Sequence, residues 1–251
     1  MLIHELPRRG NSLFRWRSFI PLILVPPAMW MAWDAPFWAD SWEWQATCWG
    51  LGFLGVAIRA KTIGHVPPGT SGRNTSEGQV AETLNTRGMY SLVRHPLYLG
   101  NFFMWMALVM ATGRMGFALV VALLYMMYYV RIAMAEEAFL AGKFGQKYRD
   151  WAATVPAFVP KFWGRPQSRW SSAGNAFSLR HVIKREYNGV FALVFGFFFL
   201  DAARTAGMGI PSCAEMPWQL GLAVSVTSFA VLRFVKKRTR LLHVEGREFG
   251  R

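Results

Sequence analysis

Six apolar runs approaching membrane-spanning length constrain this chain more than any other feature, because a soluble core of 251 residues has no use for so many. They lie at Phe19–Trp38, Ala46–Ala60, Leu97–Thr112, Met115–Ala135, Gly189–Gly209 and Pro217–Val235. The expected fold is all-α, a polytopic membrane bundle of about six transmembrane helices, since only internally hydrogen-bonded segments cross lipid as single chains. The second and third runs are short and rely on flanking aromatic and Lys/Arg side chains. Pro26 and Pro27 should kink or interrupt the first. That run follows Arg8, Arg9, Arg15 and Arg17 with no small-residue cleavage site after it, which does not fit a secretory signal.

Charge orients the bundle. The net charge of +14 is spread unevenly. With both termini cytoplasmic, the outer turns hold only Arg114 and Arg204 of 28 Lys/Arg, together with Asp34, Asp40, Glu43, Asp201 and Glu215. That asymmetry is the positive-inside signature. It assigns the basic residues to topology and to anionic lipid headgroups, and nucleic acid is not an expected partner because no base-reading motif is present. An integral membrane location with both termini cytoplasmic follows as the expectation. The only two cysteines, Cys48 and Cys213, have no metal-ligand spacing, and no metal is expected.

Residues 1–160 read as a membrane core, 161–187 as a cytoplasmic linker, and 188–251 as a C-terminal helical hairpin with a basic tail. Within the core, the loop after the second run begins irregularly with HVPPGTSGRNTSEG. It then places Val80, Leu84 and Tyr90 on one side of an expected short amphipathic helix. The third and fourth runs form a tight hairpin turning at Gly113 and Arg114, with Gly100, Ala107, Ala111, Gly116 and Ala118 easing close approach. Beyond the fourth run, Leu140, Phe144, Tyr148 and Trp151 recur at helical spacing until Pro156 and Pro160 end the pattern.

Polar residues collect where this hairpin meets the cytoplasm. Arg94, His95 and Pro96 open the third run, and Pro96 suits the first turn of a helix whose free N–H groups favour an anion. Glu136 and Glu137 close the fourth run, where a helix C-terminus disfavours acids. Neighbouring residues point about 100° apart on a helix, so one Glu at most is expected to aim easily into the bundle. A basic and an acidic pair at one membrane level point to a small zwitterion bound between them.

The full pattern is Gly88, Tyr90, Val93, Arg94, His95, Pro96, Tyr98 and Gly100, then Glu136, Glu137, Leu140, Phe144, Gly145 and Tyr148, then Val155, Pro156, Phe158 and Pro160. It resembles the membrane methyltransferases related to isoprenylcysteine carboxyl methyltransferase and the phospholipid N-methyltransferases, over about a third of the chain. The resemblance implies S-adenosylmethionine as cofactor, with Tyr90, His95, Pro96, Tyr98, Gly100, Glu136 and Glu137 around it and Arg94, His95 and Glu137 as catalytic residues. Hydroxyls, amides and arginines in TSGRNT and Asn85–Arg87 suit a phosphate headgroup, so Arg73, Arg87 and Arg94 are the expected contacts to a membrane lipid substrate. That arrangement looks most like the bacterial branch that includes lipid A phosphate methyltransferases. Amine and carboxylate acceptors stay open. So do a sterol-type reductase using NADPH, which a surplus of Arg over Glu would favour, and a non-catalytic lipid-binding protein, which would tolerate changes at Arg94, His95 and Glu137.

Overall fold

The chain was analysed as a computed structural model, whose described residues are 20–67, 73–75, 78–160, 175–210, 213 and 215–244. The basic start, part of the TSGRNT loop, most of the linker and the end of the basic tail lie outside them. Helices dominate: α1 (Val25–Trp33), α2 (Trp42–His65), α3 (Pro96–Ala111), α4 (Met115–Phe144), α5 (Gln146–Thr154), α6 (Leu179–Gly207) and α7 (Met216–Arg238). Three of them, α4, α6 and α7, are long and apolar enough to cross a membrane, and Leu22–Trp33 and Pro96–Ala111 are shorter apolar helices. The molecule is a membrane helix bundle.

The prolines of the first run mark the start of its helix rather than a kink within one. Pro26 and Pro27 sit in the first turn of α1, after a 3₁₀ turn at Ile20–Leu24, and α1 has only 9 residues. The second run grows in the other direction: α2 has 24 residues, about 36 Å at the usual helical rise, and carries Arg59 and Lys61 near its C-terminal end. The expected amphipathic helix over Val80–Tyr90 does not form. An antiparallel strand pair, β1 (Arg73–Thr75) and β2 (Gly78–Val80), is followed by bends and a 3₁₀ turn at Gly88–Ser91. Asn85 and Thr86 compete for backbone hydrogen bonds, and Gly88 sits at φ +60°, outside the helical region.

The small residues of α3 serve a different neighbour from the one expected. A Cβ on Gly100 would lie 2.8 Å from the Gly55 carbonyl, and one on Gly55 would lie 2.5 Å from that of Gly100, so α2 and α3 touch backbone to backbone. Gly116 on α4 has open space instead. Leu193, Phe197 and Leu200 of α6 pack with Cys48, Ala107 and Ala111 in one buried cluster. Helix α6 begins at Leu179, within the stretch read as linker, and is built into this core. Helix α7 leans on α6 through Phe229, stacked on Phe191 at 4.2 Å, and buries no residue fully. At the end of the bundle read as external, both arginines are neutralised: Arg114 pairs with Asp34, and the buried Arg204 with Asp40 and Asp201.

Candidate active site

The turn leading into α3 is built from its own sequence. Gly88 supplies the left-handed conformation, and the Ser91 hydroxyl donates to its carbonyl at 2.7 Å. Pro96 then fixes the first turn of α3 and biases His95 towards extended backbone, observed at φ −120° and ψ 62°. The backbone N–H groups of Arg94 and His95 are not free for an anion. They donate to the carbonyls of Pro156 (2.8 Å) and Ala157 (3.1 Å), in the segment that follows α5. This return places Phe158 over the His95 ring, with centroids 5.4 Å apart, while Tyr98 stacks at 5.3 Å.

His95 lies between the two glutamates. Its Nε2 is 2.9 Å from Glu137 Oε1, and its Nδ1 is 3.6 Å from Glu136 Oε2. Glu137 also accepts from Arg94 Nη1 at 3.1 Å, and Glu136 accepts from the Tyr98 hydroxyl at 2.9 Å. The expectation that one Glu at most points easily inward is therefore corrected: the imidazole sits between the two side-chain directions and engages both. Burial opposes charge on the ring, but the two carboxylates outweigh it and hold the His95 pKa above the ordinary histidine value. Burial also raises the Tyr148 phenol, with Glu137 adding to the effect and the nearby Arg94 opposing it.

A cavity of about 470 Å³, within the usual range for small-molecule sites, opens beside this cluster. Tyr90, Arg94, His95, Pro96, Tyr98 and Glu136 all line it. Glu137 is not among its lining residues and acts from behind His95 and Arg94. Gly100 does not line it either: a Cβ there would lie 2.5 Å from Arg59 Cγ, so its absence lets Arg59 pass. Arg87 lines a separate cavity, and Arg73 lies in β1 opposite Val80.

Reasoning from the sequence missed the opposite wall. Arg59 of α2 donates through Nε to Glu186 Oε2 (2.6 Å) and through Nη2 to Glu186 Oε1 (2.7 Å), a bidentate pair, and through Nη1 to Asn101 Oδ1 (2.5 Å). Glu186 is 3% exposed and lines the cavity with its neighbour Arg185, so α6 completes the site. The available signal was an arginine and a glutamate inside or beside apolar runs, where ionisable residues are expensive and usually functional. The resulting lining carries both signs, which suits a ligand that is itself both cationic and anionic.

The phospholipid methyltransferase family matches residues 70–147. The cobalt-zinc-cadmium resistance protein CzcN of Cupriavidus metallidurans is 33% identical over 64% of this chain and 70% of its own length. The nickel-cobalt-cadmium resistance protein NccN of Alcaligenes xylosoxydans xylosoxydans is 30% identical over 58% of this chain, and the match spans 63% of that protein. The protein-S-isoprenylcysteine O-methyltransferase of Schizosaccharomyces pombe is 29% identical over 47% of this chain and 50% of its own length. No solved structure gives a significant match.

Proposed function

This chain belongs to the membrane methyltransferase family of the phospholipid and isoprenylcysteine enzymes, and from that premise we propose that it transfers a methyl group from S-adenosylmethionine to an anionic membrane lipid. The lining fits the cofactor. Arg94 and His95 offer cations to its carboxylate, Glu136 offers an acceptor to its ammonium or ribose hydroxyls, and Tyr90 and Tyr98 offer aromatic faces. When bound, S-adenosylmethionine supplies an electrophilic methyl whose C–S bond breaks as the bond to the acceptor forms, leaving a neutral thioether.

The observation that carries the acceptor class is the clamp on His95. Both ring nitrogens face carboxylates, an arrangement that favours the imidazolium and leaves the ring poorly placed to take a proton from an acceptor. An acceptor that is already an anion needs no general base. The protein then contributes positioning, exclusion of water and charge neutralisation. This favours a phosphate or carboxylate over an amine, and a lipid A-like phosphate is the acceptor we favour, with Arg73, Arg87 and Arg94 as headgroup contacts. Arg94 and His95 act in catalysis by holding cofactor and acceptor charge, and Glu137 by fixing both. Membership of a membrane family and the Lys/Arg distribution support an inner-membrane protein with both termini in the cytoplasm.

The test is incubation of the purified full chain in lipid nanodiscs with methyl-labelled S-adenosylmethionine, followed by mass spectrometry of the lipids. Label should appear as a methyl ester on a phosphate or carboxylate. Label on an amine would overturn the acceptor class, and no binding of the cofactor by folded protein would overturn the methyltransferase reading.

A further inference from the structure

A second cavity of about 370 Å³ adjoins the first, and Tyr90 lines both. Its lining has a different chemistry. Arg87 and Lys147, both solvent-exposed, line it together with Thr83, Asn85, Thr86 and His65 of α2. The His65 Nδ1 faces the Asn175 carbonyl at 3.0 Å, which makes that nitrogen the donor. Among the described residues lining this cavity there is no carboxylate, whereas Glu136 and Glu186 line the first. The Asn85 Nδ2 is shielded from solvent and has no hydrogen-bond partner among the described residues. A shielded donor without an acceptor is costly, and a ligand oxygen would complete it.

We infer that this second cavity is a phosphate-binding site, meeting the cofactor cavity at Tyr90, in which Arg87, Lys147 and Asn85 hold the phosphate group of the acceptor. Two basic side chains with no acid favour a multiply charged anion and disfavour a ligand bearing a sulfonium and an ammonium, so the two ligands sort to adjoining cavities that share Tyr90. Arg87 offers two parallel N–H bonds to phosphate oxygens, Lys147 a point charge, and the Asn85 amide and the Thr86 hydroxyl neutral donors. Helix α5 contributes Lys147, and the turn before α3 contributes Asn85 and Arg87, so the site also joins the two halves of the motif on their cytoplasmic side. This inference rests on the proposed transfer to an anionic lipid and identifies where its phosphate is held.

The experiment titrates inorganic phosphate into the purified full chain in a neutral detergent by calorimetry, with S-adenosylmethionine in a parallel titration. The wild type is compared with R87A/K147A and with N85L. Loss of two charge-assisted contacts should weaken phosphate at least tenfold in R87A/K147A, with a smaller loss in N85L, while cofactor affinity stays within twofold. Retained cofactor affinity also shows that the variants are folded. No phosphate binding by the wild type, or equal binding by R87A/K147A, would overturn the site. Loss of the cofactor with phosphate binding intact would also overturn it, by giving the cavity to the cofactor. Phosphate binding by a wild type that ignores S-adenosylmethionine would sink the methyltransferase reading and leave the anion site standing. Nanodiscs containing phosphatidic acid in place of phosphatidylcholine distinguish the source: competition with inorganic phosphate identifies a lipid headgroup, and its absence identifies free phosphate.

Discussion

His95 is the residue on which the site turns, and its two carboxylate neighbours favour its protonated form. Exchanging Glu137 for Gln removes the charge that aligns both Arg94 and His95. The loss of a charge-assisted bond, about 1.5–3 kcal/mol, should weaken S-adenosylmethionine roughly ten- to a hundredfold in calorimetry. Glu137 touches the cavity only through its partners, so the Glu137→Asp variant, which keeps the charge, should recover part of that affinity. The raised His95 pKa has a sign that can be checked. Its contribution to stability is fully present below the unfolded value of about 6.5 and fades as pH rises through the higher folded value. Thermal unfolding followed from pH 6 upward should show a loss in the wild type that His95→Gln lacks, and identical slopes would remove this assignment. The two halves of the motif were legible in the sequence because each sits at a helix end, where its charges stand out. The clamp was not, because adjacent glutamates on a helix look divergent until a ring is known to lie between them. Arg59 and Glu186 were hidden for another reason: one lies inside the second run and the other in the stretch read as linker, 127 positions apart.

At the scale of elements, the close contact between α2 and α3 sets where Arg59 can run. Gly55→Ala would push a Cβ to 2.5 Å from the Gly100 carbonyl, a backbone atom that cannot swing away. That substitution should cost about 1–3 kcal/mol in a detergent melt. Gly116→Ala, with open space around it, should be neutral or stabilising by up to about 1 kcal/mol. The apolar runs announced these helices well, but run length alone misjudged their ends. Helix α2 extends past both ends of its run, from Trp42 to His65, because interfacial aromatics and an exposed Lys61 are tolerated there, and α1 is cut short by the prolines that open it. The reading of the loop before α3 as an amphipathic helix failed because Val80 pairs in β2 and Gly88, between Leu84 and Tyr90, leaves the helical region.

Across the whole molecule, α6 ties the C-terminal hairpin to the site. Glu186→Ala would leave the partly buried Arg59 without its carboxylate and should destabilise the fold by about 1–3 kcal/mol, whereas the paired change Arg59→Met with Glu186→Leu should recover much of the loss in unfolding measurements. In a background lacking Cys48 and Cys213, a cysteine at Ser41 should react with an impermeant reagent added outside, and one at Thr239 only after the membrane is opened. The reverse result would invert the bundle and move the site to the other face. The amides of Arg94 and His95 end on the carbonyls of Pro156 and Ala157. These two N–H groups therefore serve as a built-in reporter: their hydrogen-exchange rates measure how often the return segment lifts away, taking Phe158 off the imidazole. If that lifting is the route by which ligands enter, the slowest exchange at these two positions should coincide with the fully liganded protein, and exchange should quicken when either ligand leaves.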